Sequence, residues 1–429
     1  MNFSPTELCA TTLFAIAIIH TFCTAYFEKL AAHSKRHAGL LHMLGEVEIV
    51  FGLWAAILIL FIWAIDGFTS AKLYLNECNY TEPMFVFAIM VVAGSKPILD
   101  LTNQILNWLS QLGHRLLRVE PNTALYFLTL SITPLMGSFI TEPAAMTIAA
   151  FLLRDLVYRH RPSTLFMFAT LGVLFVNISI GGTLTNFAAP PVLMVANTWQ
   201  WDSAFMLSHF GIKSTIAVLI NALLVSVLFH KNLVLLELER LKQPNQTGHA
   251  RNRIPFSVTV IHLFFLCAIV LVAHDPVLFI WLLLFFIGYT VAYPKYQNPL
   301  ILREALLVSF FLAGLVVLGK LQAWWLQPLL TQMSPNLVFY GSLALTAITD
   351  NAALTYLGSL VTGTSAEFKL ALVGGAVAGG GLTVIANAPN PAGIAILRSY
   401  FPNLAVSASY LLLAALPPTF IAILAYRLF

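Results

Sequence analysis

Runs of about twenty uncharged, mostly apolar residues recur from one end of this chain to the other, and that is the length an α-helix needs to cross a hydrocarbon core. In lipid, an isolated segment must satisfy its own backbone, so each run is expected to be helical. We read crossing segments near 10–27, 46–66, 84–108, 163–196, 203–229, 255–273, 277–293, 304–320, 367–397 and 403–427. Composition closes off a water-soluble alternative. Of the 429 residues, 59% are hydrophobic and 9% charged, against about 25% charged in soluble domains. Too few polar side chains remain to cover a wet surface. The expected fold is an all-α polytopic membrane protein with the lipid bilayer as its main partner. The net charge of +4 is modest and its basic residues gather in a few loops, which speaks to topology and not to nucleic acid. Cys9, Cys23, Cys78 and Cys267 have no metal-ligand spacing.

Basic residues mark the loops 28–44, 109–120, 154–162, 230–254 and 294–303 as cytoplasmic. The stretches 66–82, 197–202 and 321–335 are acidic or uncharged and are expected outside. Two apolar segments then stand apart. Residues 121–153 have basic flanks at both ends, so the segment is expected to enter, turn near Thr141-Glu142-Pro143 and leave on the same side. Residues 336–363 have flanks without basic residues and a polar midpoint at Thr349-Asp350-Asn351, so they are expected to do the same from outside.

The two midpoints resemble each other, "TEPAAMT" at 141–147 and "TDNAALT" at 349–355, and each is followed by a glycine-rich break, "GGTLTNFAAPP" at 181–191 and "GGGLTVIANAPNPAG" at 379–393. Matched motifs in the same order, with opposite charge flanks, predict about ten transmembrane helices plus two re-entrant hairpins in two inverted-topology repeats. The expected organisation is N-terminal helices over 1–83, a first repeat with an inward-opening hairpin over 84–229, and a cytoplasmic linker loop over 230–254. Connecting helices over 255–303 and a second repeat with an outward-opening hairpin over 304–429 follow.

A carboxylate at mid-membrane depth costs about 2.5–3.5 kcal/mol on the lenient insertion scale, so Glu142 and Asp350 demand a reason. Beside free backbone groups at a hairpin tip, and with Thr141, Thr349 and Asn351, they make a hard oxygen shell suited to Na⁺ or Li⁺. A proton and a cation would compete for the same oxygens, the minimum for exchange. The bland alternative is that the acids cap helix ends or pair with a buried base. The breaks add Thr183, Thr185, Asn186, Thr383, Asn387 and Asn390 beside unwound backbone, unless these are simply kinked packing helices. Lys96 and Asp100, one helical turn apart, are a neutralising pair, or Lys96 meets a core carboxylate when no cation is bound. No P-loop, HExxH or Ser-His-Asp set is recognisable, so neither an enzyme nor a bound cofactor is expected.

These paired Thr-acid tips, each followed by Gly-Gly-x-Leu-Thr and a Pro-rich break, resemble the ion-transporter superfamily, which includes NhaD-type Na⁺/H⁺ antiporters, divalent anion–sodium symporters and arsenite carriers. The two tips stand where the anion symporters carry Ser-Asn-Thr, and "GGGLTVIANAPNPAG" is similar to a family of bacterial Na⁺/H⁺ antiporters. The resemblance covers about 84–427 and implies elevator-like motion of the hairpin domains, usually within a homodimer. Acids at both tips disfavour a dianion and favour a cation. The expectation is a multi-pass protein of a bacterial inner membrane that exchanges Na⁺ or Li⁺ for H⁺ by alternating access. The alternative is Na⁺- or H⁺-coupled symport of a small organic anion such as a dicarboxylate.

Overall fold

The computed structural model describes residues 4–34, 37–117, 119–242 and 254–428. Every regular element among them is helical, with no strand. The helices that matter here are α1 (Pro5–His33), α2 (Val47–Asn76), α3 (Thr81–Ala93), α4 (Lys96–Leu117), α5 (Pro121–Ile140), α6 (Glu142–Leu156), α7 (Thr164–Gly181), α8 (Pro190–Trp199) and α9 (Ile212–Leu228). They continue with α10 (Phe256–Leu271), α11 (Pro276–Ala292), α12 (Leu302–Gly319), α13 (Pro335–Thr346), α14 (Asn351–Ser359), α15 (Ala366–Gly379), α16 (Asn390–Leu397) and α17 (Ala408–Leu428).

Seven helical segments are long and apolar enough to cross a membrane, and eight if α3 and α4 count as one span bent by 64°. The bend falls at Gly94-Ser95, just before Pro97, whose ring nitrogen has no proton for the carbonyl a turn earlier. Against the expected ten spans, α10 and α11 are apolar but only 16 and 17 residues long. The segment 367–397 is cut into α15 and α16 by its glycine run. The first hairpin's leading arm, α5, has 20 residues and reaches span length, whereas α6, α13 and α14 have 15, 12 and 9. The expected linker loop begins instead as a helix, His230–Lys242, because Leu233 and Leu236, three apart on one face, bury against the core. Residues 243–253 of that stretch lie outside the described residues.

Two packing groups emerge. In the first, α2 lies on α1 and α12, and α3 packs on α10, α11 and α12. Glu46–Arg303 and Glu77–Lys320 pair the same ends of α2 and α12, so the two run parallel. In the second, α5, α7, α9 and α17 pack together, and α13 lies along α15. The centre is an exchange: α6 of the first hairpin packs on α16 of the second break, and α14 of the second hairpin on α8 of the first. The first group's apolar core reaches across to Ile140, Ala144 and Ile148 around the first tip and to Ala352, Ala353 and Leu357 after the second.

Candidate functional site

The breaks form where glycine pairs end α7 and α15 and prolines reopen the helix. Between them lie single 3-10 turns, Gly182–Leu184 and Val384–Ala386, flanked by extended residues, with φ −125° and ψ 163° at Thr185, φ −140° and ψ 171° at Thr383, and φ −150° and ψ 138° at Asn387. Prolines 190 and 191 can open α8 because the first turn of a helix needs no N–H donors. Extended backbone at the centre leaves side chains and carbonyls pointing where two helices would otherwise have met.

Glu142 is the core of the site. Its side chain is 1% exposed. One carboxylate oxygen, Oε2, accepts from Asn387 Nδ2 at 2.8 Å, and Oε1 has no hydrogen-bond partner among the described residues. Thr141 Oγ1, Asn387 Oδ1, Asn351 Oδ1 and Asn390 Oδ1 are likewise buried and unpartnered. An unpaired buried polar atom costs about 1–3 kcal/mol, so such a group of oxygens at the tips and breaks is a destabilised arrangement unless something positive is shared among them. Among the described residues no Lys or Arg is bonded to Glu142, Asn387 or Asn351. Room for the carboxylate comes from Gly182, where a Cβ would strike Glu142 itself.

The second tip is built differently. Asp350 is the N-cap of α14 and accepts from Ala352 N at 2.8 Å and Ala353 N at 3.2 Å. It borders a mostly apolar cavity of about 50 Å³ with Thr349, Phe14, Ile18 and Phe51. The residue that enters the core is Asn351, fully buried, with neither side-chain atom paired. It lies against Gly380, where a Cβ would come within 2.8 Å of its amide nitrogen.

Contacts therefore correct the register suggested by the letters. The match of "TEPAAMT" to "TDNAALT" sets Glu142 beside Asp350. In space, Gly181 abuts Pro134 while Gly379 abuts Leu343. Thr185 donates to Ser138 O at 2.6 Å while Thr383 donates to Ala347 O at 2.8 Å. Gly182 backs on Glu142 while Gly380 backs on Asn351. The break partners stand 198 residues apart in every pair and the hairpin partners 209, one more than the letters give. Glu142 and Asn351 are also the first residues of their helices. The positional mate of Glu142 is Asn351.

The other expected residues separate into those at the centre and those away from it. Thr185 and Thr383 brace the breaks against the hairpins, as above, and Asn390 donates within its own break to Gly380 O and Thr383 O. Thr183 joins Ser214 Oγ, which meets Tyr426 Oη, a packing network. Asn186 does not join the expected shell: its amide donates to Trp201 O and accepts from Ser203 Oγ, facing a different cavity. Thr349 donates to Leu345 O. Lys96 and Asp100 border a cavity of about 410 Å³ with Arg154 and Asp155, on the basic-loop face and away from Glu142. Sequence reading missed Gly182 and Gly380 as the spaces that receive Glu142 and Asn351, although both lie inside the glycine pairs it singled out.

Residues 5–429 match the profile of the family described as "Putative Na+/H+ antiporter", and the chain belongs to that family. No curated protein matches it. The protein is a multi-pass membrane transporter, not an enzyme, and its family places it in cation/proton exchange.

Proposed function

We propose that this antiporter exchanges Na⁺ or Li⁺ for H⁺ at Glu142, by alternating access. The observation that carries the reading is a fully enclosed carboxylate whose one bonded partner among the described residues is a neutral amide, beside the unpaired oxygens of Thr141 and Asn387. A dehydrated monovalent cation would satisfy several of those oxygens at once. A proton on Glu142 would satisfy the carboxylate instead, and the Asn387 amide serves both states. It donates to the ionised form and, turned over, accepts from the acid. The two ligands exclude each other, so outward movement of one requires release of the other. Between releases the centre would be exposed to each side in turn.

The recurring hairpin-to-break contacts support two repeats of one unit, and the basic flanks of one hairpin against the neutral flanks of the other support their opposite orientation. A bacterial inner-membrane setting and a homodimer follow from the superfamily resemblance. The organic-anion alternative would need a cationic group at the centre, and among the described residues none is bonded there.

The test is cation-driven proton movement in proteoliposomes. An inside-acid gradient is set and NaCl, LiCl, KCl or choline chloride is added outside. Na⁺ or Li⁺ should collapse the gradient and choline should not. Glu142→Gln should lower the rate at least a hundredfold with insertion intact, whereas Asp350→Asn, which keeps a good N-cap, should cost only a few-fold through its lost charge. Exchange that survives Glu142→Gln and dies in Asp350→Asn would transfer the role to the second tip.

A further inference from the structure

We propose that Glu82 is a second cation-binding carboxylate, standing in an outer vestibule that supplies the Glu142 centre; this rests on the exchange reading above. Glu82 lies in the first turn of α3, in the first packing group, and is 8% exposed. Its Oε1 accepts from Asn197 Nδ2 at 2.9 Å, and Asn197 belongs to α8, the helix that resumes after the first break. Among the described residues no Lys or Arg is bonded to this enclosed carboxylate, which has a neutral amide as its partner. Its position at a helix N-terminus eases the charge but does not account for the space beside it.

That space is a cavity of about 280 Å³, bordered by Thr81, Glu82, Asn186, Asn197, Asp202 and His274 among others. Its loops, 197–202 and the turn after α10, carry no Lys or Arg, so it opens on the face opposite the basic loops. Two other titratable groups face it. Asp202 is engaged as an N-cap, accepting from Phe205 N at 2.7 Å, and His274 is exposed at the rim. The hydroxyl of Thr81 and the amides of Asn186 and Asn197 add hard oxygens, a set suited to a small monovalent cation. Asn186 borders this cavity and belongs to the same break as Gly182, against which Glu142 rests. The displaced Asn186 thus serves a cation at an earlier point on its route.

Face-resolved transport in proteoliposomes of sorted orientation tests this, with Glu82→Gln, Asn197→Ala and Glu142→Gln beside the wild type. Gln at 82 keeps an acceptor for Asn197 and removes only the charge. Half-saturating Na⁺ added on the Glu82 face should rise about tenfold in Glu82→Gln, the loss of one charged ligand. The value on the other face and the maximal rate should stay unchanged. Asn197→Ala, which removes the amide bonded to Glu82, should raise half-saturating Na⁺ too, on the Glu82 face alone. Equal behaviour of Glu82→Gln and the wild type on both faces would overturn the inference, as would an equal loss on both faces. An equal loss on both faces would make Glu82 a structural tie. In both cases the Glu142 reading stands if Glu142→Gln is inactive from both sides; a wild type that exchanges no cation overturns both.

Discussion

The two hairpin tips share four of seven letters and do opposite things with their acids. At the second, Asp350 spends its carboxylate on the free N–H groups of α14 and its backbone is relaxed, with φ −79° and ψ 140°. At the first, Thr141 holds the same cap position, yet its hydroxyl is unpartnered and its backbone sits at φ +74° and ψ 150°, a region that a β-branched residue rarely adopts. Pro143 is one reason. It stands where Ala352 donates to Asp350, and it has no N–H to give. What the pair teaches is that the residue after the cap faces the centre. In one hairpin that residue is a carboxylate, and in the other it is an amide.

The largest effect should come from making the mates alike. With one exchanging carboxylate, each cation is replaced by one proton and no net charge crosses. Exchange by the wild type should therefore be indifferent to a potential imposed with K⁺ and valinomycin. Asn351→Asp places a second carboxylate in the mate's position, and exchange should become sensitive to that potential. A wild type that already responds to voltage would mean that Glu142 and Asp350 act as the pair after all, and the spatial register would have no functional weight.

A smaller effect should follow from making the two breaks alike. Asn387 occupies the position that Ala189 takes in the first break, 198 residues earlier. Asn387→Ala removes the one bond to Glu142, a hydrogen bond to a charged group worth about 1.5–3 kcal/mol. Half-saturating Na⁺ should rise at least about tenfold, with the protein still able to collapse a gradient at high Na⁺. An unchanged Na⁺ dependence would remove Asn387 from the cation shell and leave Glu142 alone.

Much of this was legible in the chain. Helical runs, the two tips and the two breaks all come from apolar length and from Gly, Pro and buried acids in apolar surroundings. The register was not, because a string match weighs Thr-acid identity while the fold responds to which residue finds free N–H groups. Asn186 was misplaced because an amide beside unwound backbone can turn to either side, and Trp201 and Ser203, far enough along the chain to be invisible to a motif, claim it. The helix His230–Lys242 was hidden by its charges, although the spacing of Leu233 and Leu236 was available.

The smallest effect separates the two caps themselves, and it is read as stability. Asp350→Ala removes a working N-cap and should lower stability by about 1 kcal/mol, within the ~0.5–2 range for such losses. Thr141→Gly removes no cap bond, since none is made, and relieves a backbone strain of about 1–3 kcal/mol. Against that gain stands the extra freedom of glycine in the unfolded chain, about 0.5–1 kcal/mol. The net should be neutral to mildly stabilising. Thermal unfolding of the purified protein in detergent should therefore rank Thr141→Gly at or above the wild type and Asp350→Ala below it. The reverse order would mean that Thr141 is held by contacts stronger than its strain. The first tip would then be a rigid cap like the second, and not the strained turn that presents Glu142.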